Sequence, residues 1–190
     1  CGVCGGEGIA EGDCDCDGNV LDECGVCGGD GSYSLGESEV DQENTEWNTG
    51  IPLPNETDEW YQSFTADQTG ALTAFSFKKN GEYITEVNVT ILSGQGLSGE
   101  VLYNGVWSID TNPNINTSEW ITYDLTAETG VVAGQVYSIQ LQQLQGINDT
   151  GAILGNQESL YSGGLFYFSG YAGEYGDLAF RTYVAQVACD

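Results

Sequence analysis

The chain's clearest regularity is a period of two. In "TEVNVTIL" (85–92), Val87, Val89 and Ile91 share one side while Asn88 and Thr90 share the other. Side chains alternate across a strand, so such a run is written for a sheet with one face buried. Similar short runs recur as "YQSFTA", "ALTAFSF", "GEVLY", "GVWSI", "EWITYDL", "QVYSIQLQ", "GLFYF" and "DLAFRTYV", separated by Gly, Asn and Asp. In "QVYSIQLQ" the positions of Val136 and Ile139 break the alternation, which predicts a bulge or burial on both faces. "YNGV" between two of the runs predicts a two-residue hairpin turn. No stretch has the spacing of an amphipathic helix. The pattern predicts an all-β fold, an antiparallel β-sandwich.

That pattern is absent from the first 32 residues, which hold ten glycines, eight acids, six cysteines and no aromatic residue. Such a segment cannot bury a core, so its order must come from covalent or metal cross-links. It also repeats: "CGVCGGEG" at 1–8 returns as "CGVCGGDG" at 24–31. Three divisions are expected: a Cys/Asp-rich segment over 1–34, a polar connector over 35–59, and a sandwich over 60–190.

Charge narrows the partners. The 190 residues carry 29 acidic side chains against three basic ones, Lys78, Lys79 and Arg181, for a net charge of −26. This excludes nucleic acid and anionic membrane surfaces as natural partners and favours divalent cations as a counterweight. No run approaches the roughly 18 apolar residues of a membrane span, so no membrane insertion is expected. Seven cysteines suit an oxidising, extracellular or cell-surface setting. The absence of methionine is expected of a processed form or a section of a longer chain.

Three chemistries compete for "DCDCDGNVLDECGVC" (13–27). Cys1, Cys4, Cys24 and Cys27 form a C-x2-C…C-x2-C spacing that suits tetrahedral zinc thiolates. The crowd of carboxylates and the oxidising setting argue against it. Asp13, Asp15 and Asp17 at alternate positions, followed by Gly18, open an oxygen-ligand loop for Ca2+, with the Asn19 carbonyl and Asp22 completing the set. An EF-hand requires glutamate where Cys24 stands. The third chemistry is a disulfide staple drawn from Cys1, Cys4, Cys14, Cys16, Cys24, Cys27 and Cys189. Alternation lets two of these coexist: if the odd positions face a cation, Cys14 and Cys16 face away and can bridge elsewhere. Calcium together with disulfides is the reading adopted. The odd cysteine count leaves at least one thiol free or bridged to another chain or to further sequence; Cys189 is the isolated one, able to close back on the N-terminal segment or to reach the next copy.

"WYQSFTADQTGALTAFSF", "NVTILSGQGLSGEVLY", "VVAGQVYSIQLQ", "YSGGLFYF" and "DLAFRTYV" together resemble a jelly-roll module common in secreted bacterial proteins, over about residues 60–184. "DCDGNVLDECGVCGGDGS" is similar to Cys/Asp repeats of large bacterial surface proteins and to thrombospondin type-3 calcium repeats. It departs from the latter in placing Asp22 one position late. The resemblance implies an extracellular parent of several modules and no particular reaction.

Catalysis finds little footing. Histidine is absent, which removes the commonest general base, and no spacing singles out a carboxylate pair, Glu158 and Glu174 included. The late aromatics are more suggestive. In "GLFYF", Phe166 and Phe168 are expected in the core and Tyr167 outside. Tyr161, Tyr167, Tyr171 and Tyr175 could then offer a platform to sugar rings. Asn55, Asn88, Asn116 and Asn148 each begin a glycosylation sequon. Arg181 is expected to pair with a carboxylate such as Asp177 or Glu174, or to pack over a ring. The sequence therefore predicts a non-enzymatic structural module, a calcium- and disulfide-stiffened spacer joining β-sandwiches into a fibre, whose partners are copies of itself. The alternative is a carbohydrate-binding adhesin module with glycan partners.

Overall fold

The computed structural model describes residue 9 and residues 12–21, 27–30, 33–52, 58–81, 83–110, 118–149, 152–158, 160–169 and 176–189; for 83–85, 110, 145–149 and 189 it describes the backbone alone. The chain divides into two units, Cys1–Glu37 with Gln186–Asp190, and Ser38–Ala185.

The larger unit is a sandwich of two antiparallel sheets, as the alternation requires. One sheet holds seven strands: β1 (Tyr33–Asn44), β12 (Phe180–Cys189), β4 (Gly70–Asn80), β9 (Ala152–Asn156) and β11 (Asp177–Leu178) in that order, with β2 (Thr49–Ile51) beside β9 and β7 (Glu119–Val131) beside β4. The other is ordered β10 (Phe166–Phe168), β3 (Trp60–Thr65), β8 (Val136–Asp149), β5 (Tyr83–Ser93) and β6 (Val101–Asp110). The boundary between the units falls inside β1 and β12. No α-helix occurs among the described residues.

The inward residues of each strand meet in one core. Val87, Val89 and Ile91 of β5 are fully buried, facing Phe75 and Phe77 of β4 and Phe180 of β12 in the same cluster. Trp60 lies edge-on to Phe77 and Phe166, with centroids 5.5 and 5.2 Å away. Each such side chain contributes roughly 1.5–3 kcal/mol by leaving water, which makes this core the dominant stabilising term. Phe166 and Phe168 are buried and Tyr167 is not, as alternation predicts. In β8, Ser138 and Ile139 are both fully buried, so the broken alternation reflects burial on two faces. The Ser138 hydroxyl stays satisfied by accepting from Gly96 N and donating to Gly94 O.

Two expectations change. "YNGV" is no turn: β6 runs straight through Asn104 and Gly105, pairing Asn104 with Thr90 and Gly105 with Val89. Glycine is there for space. A Cβ on Gly105 would collide with the hydroxyls of both Tyr103 and Tyr123. The stretch read as a connector is partly strand, since it carries β2 and most of β1. Polar composition concealed this because β1 is an edge strand with mostly exposed side chains, where alternation has no core to answer to.

In the smaller unit a disulfide joins Cys14 to Cys27, with 5.6 Å between their Cα atoms. Leu21 and Cys27 form an isolated antiparallel bridge, and Gly28 N donates to Val20 O. Gly28, at φ +69°, lies where a Cβ would press on the Asn19 side chain.

Candidate functional site

Three places hold the chemistry. The first is the acidic loop. The Asp15 carboxylate accepts hydrogen bonds from Asp17 N (2.8 Å), Asn19 N (3.1 Å) and Asn19 Nδ2 (2.6 Å). These bonds, led by the Asn19 amide, hold its carboxyl below the usual carboxylate range. The Asn19 carbonyl accepts from Cys14 N at 2.7 Å. Gly18, at φ +82°, makes the bend that the loop reading assigned to it. Among the described residues, the carboxylates of Asp13, Asp15 and Asp17 do not converge as a trio; the one close group of ligand types is Cys14, Asp15 and Cys27. Two of that group are spent in a disulfide.

The same disulfide removes the zinc reading. A four-thiolate site needs Cys27 as a thiolate, and Cys27 is bonded to Cys14. Cys16 is disulfide-bonded as well. Cys1, Cys4, Cys24 and Asp22 lie outside the described residues, and the side chain of Cys189 is not described.

The second place is the late tyrosine region. Tyr161 is half-buried and built in: its hydroxyl donates to Gln42 Oε1 (2.8 Å) and accepts from Thr65 N (3.3 Å), while its ring meets Phe180 edge-on. Burial pushes its hydroxyl up to about 12. Tyr167 stacks on Tyr61, with centroids 5.4 Å apart. Burial chiefly, with Tyr167 and Glu59 adding to it, raises the Tyr61 hydroxyl. Tyr171, Tyr175 and Glu174 lie outside the described residues, and Glu158 is exposed. Asn88 is half-buried and donates to Thr90 Oγ1. Asn55 and Asn116 lie outside the described residues; of Asn148 the backbone alone is described, within β8.

The third place was not legible in the sequence. On the outer face of the seven-stranded sheet, β12, β4 and β7 set side chains in rows. Tyr183, Ala74 and Asp124 form one row, and Arg181, Ser76 and Thr122 the next. Lys78 and Trp120 pair in a third. The short Ala74 and Ser76 of the central strand make a floor, and the long neighbours make walls. The result is a trough of about 380 Å³ lined by Ser38, Thr73, Ala74, Thr122, Asp124 and Tyr183. Ser76 Oγ lies 2.8 Å from Thr122 Oγ1 and donates to Tyr183 Oη at 3.2 Å.

At one end of these rows the cations gather. Arg181 lies over the Trp120 ring at 4.3 Å and donates to Glu43 Oε2 at 3.2 Å. Lys78 Nζ sits 5.6 Å from the Trp47 ring and 5.8 Å from that of Trp120. Arg181 therefore does both things expected of it, but with Glu43 as its carboxylate. Asp177 instead accepts from Tyr161 N. Lys79, the third cation, is buried against Glu119 and takes no part.

No protein family and no curated protein matches this chain.

Proposed function

We propose that this chain is a non-enzymatic structural module of an extracellular surface protein or filament, in which a disulfide-stapled, calcium-binding leader spaces β-sandwich domains. The observation that carries this reading is the Cys14–Cys27 disulfide, formed in a segment with no core of its own. Closing a loop of that length is worth about 3 kcal/mol, a sizeable fraction of the roughly 5–15 kcal/mol by which whole domains are stable. A segment ordered this way transmits position without needing apolar burial, which is what a spacer requires.

Calcium is the part of the proposal that rests on donor chemistry. The loop offers oxygen ligands, the kind a hard cation takes. Because the three carboxylates do not converge here, Asp13 and Asp17 would have to draw in on the ion, and Asp15 would have to share its oxygens between the cation and the three N–H groups it already serves. The bound ion would supply charge neutralisation, offsetting carboxylates that otherwise repel one another within a chain of net charge −26. The resemblance favours an extracellular parent of several modules on an oxidising cell surface, and the repeated leader motif with its odd cysteine favours assembly with copies of itself.

The test is calorimetric titration of Ca2+ into the metal-free chain, with sedimentation velocity in calcium and in chelator. Binding that Asp13→Asn and Asp17→Asn abolish, with association in calcium, is the expected result. A strict monomer that binds no calcium would overturn the reading.

A further inference from the structure

We propose that the trough on the outer face of the seven-stranded sheet binds a neutral oligosaccharide, with Asp124, Thr122, Ser38 and Tyr183 as the groups that hold its hydroxyls and the exposed Trp47, beyond the trough at the cationic end, as a ring platform. The site lies on the outer face of the seven-stranded sheet, whereas Tyr167 stacks on Tyr61 of the other sheet, and it needs neither the leader nor calcium.

Chemistry of the lining selects the ligand. The floor strand, β4, has β12 on one side and β7 on the other along the trough, so its backbone is committed to the sheet. A peptide strand gains affinity by pairing with an open sheet edge, and the floor of this trough, an interior strand, presents none. The lining is hydroxyl and carboxylate with one alanine, which gives a lipid chain nothing to bury against. Nucleic acid and acidic polysaccharide meet the field of a chain carrying −26. What remains is a polyhydroxyl ligand with apolar ring faces and no charge.

The donors and acceptors also match. Ser76 donates to Tyr183 Oη and so receives the proton of Thr122; Tyr183 keeps its own proton for the trough. The Asp124 carboxylate accepts from sugar hydroxyls, and charge-assisted bonds of this kind are about twice as strong as neutral ones. At the cationic end Trp47 is 44 % exposed, while Lys78 and Arg181 pin the indoles in place. Four residue steps along β4, from Ala74 to Lys78, separate the Asp124 row from the Trp120 row. At about 3.4 Å per step this spans roughly 14 Å, room for a short run of pyranose rings.

The experiment uses the whole chain and four neutral probes: cellohexaose, mannohexaose, xylohexaose and laminarihexaose. Binding is read by calorimetry and by tryptophan fluorescence. Two of the four tryptophans, Trp47 and Trp120, stand at the cationic end beyond the trough, and the other two are buried in the core. At least one probe is expected to bind at micromolar to millimolar concentration. Trp47→Ala and Asp124→Asn, both surface changes, should each weaken binding at least ~tenfold, while Tyr167→Ala should leave it unchanged. No binding of any probe at millimolar concentration would overturn the proposal. So would binding that survives both trough variants, or that is lost with Tyr167→Ala instead.

Discussion

The hydroxyls of Tyr103 and Tyr123 lie 2.7 Å apart beneath Gly105, bonding β6 to β7 across the two sheets. Tyr103 also contacts Thr126, receiving its amide proton. Because both rings are buried, neither can swing out to admit a methyl group at Gly105. Gly105→Ala should therefore destabilise the sandwich by about 2 kcal/mol, a typical overpacking penalty. Urea unfolding followed by tryptophan fluorescence would measure it. An unchanged midpoint would mean the pair is looser than the geometry says.

The buried ammonium of Lys79 contacts Glu119 at 2.6 Å and donates to Gly81 O at 2.7 Å. Glu119 is half exposed, so water already screens part of the attraction. Removing it still strands a charge that is 1 % exposed. Glu119→Ala should cost about 2 kcal/mol, whereas Lys79→Met, which removes the charge and keeps the bulk, should cost less. Equal losses in a thermal melt would refute this asymmetry.

Asp41 brings a pH dependence with a defined sign. Its buried carboxylate accepts from Asp67 N and Gln68 N, yet loss of hydration raises its carboxyl above the ordinary value despite those bonds. The folded chain thus takes up this proton at a higher pH than the unfolded chain does. Where the native state binds more protons, stability falls as pH rises. The Asp41 contribution should therefore strengthen as pH drops through the raised folded value toward 3.8, and fade above it. Urea midpoints of wild type and Asp41→Asn, compared between about pH 7 and about pH 4, should converge or cross in that direction. A difference independent of pH would rule it out.

Asp15 has the opposite sign. Its folded value is lowered by the bonds from Asn19 and Asp17, so its contribution is present above pH 3.8 and lost on acidification through the lower folded value. Amide exchange at Asp17 and Asn19 should quicken in that range, and Asp15→Asn should remove the pH effect.

Reduction should act on the leader first. Cys14→Ser with Cys27→Ser removes about 3 kcal/mol of loop constraint from a segment that has no core to replace it. Limited proteolysis within residues 12–30 should accelerate by tenfold or more on reduction. Unchanged cleavage would show that the loop is held by its hydrogen bonds alone.

Strand positions and inward faces were legible because a strand's alternation is local sterics: Phe166 and Phe168 go in and Tyr167 out whatever lies opposite. The need for disulfides in the leader was legible for the same kind of reason, since ten glycines and no aromatic residue cannot make a core. The pairing of Cys14 with Cys27 was not, because spacing permits many connectivities and only folding chooses one. Asn104-Gly105 misled because its local preference for a turn yields to pairing with β5 and to packing between Tyr103 of its own strand and Tyr123 of β7.

The sequence by itself determined an all-β sandwich, an acidic surface and a cross-linked leader, since composition and a period of two act within a few residues. Tertiary structure alone decided that Trp47, Lys78, Trp120 and Arg181 share one face. Sheet register, set by burial of the opposite face, carries Lys78, Trp120 and Arg181 together, and the loop between β1 and β2 adds Trp47.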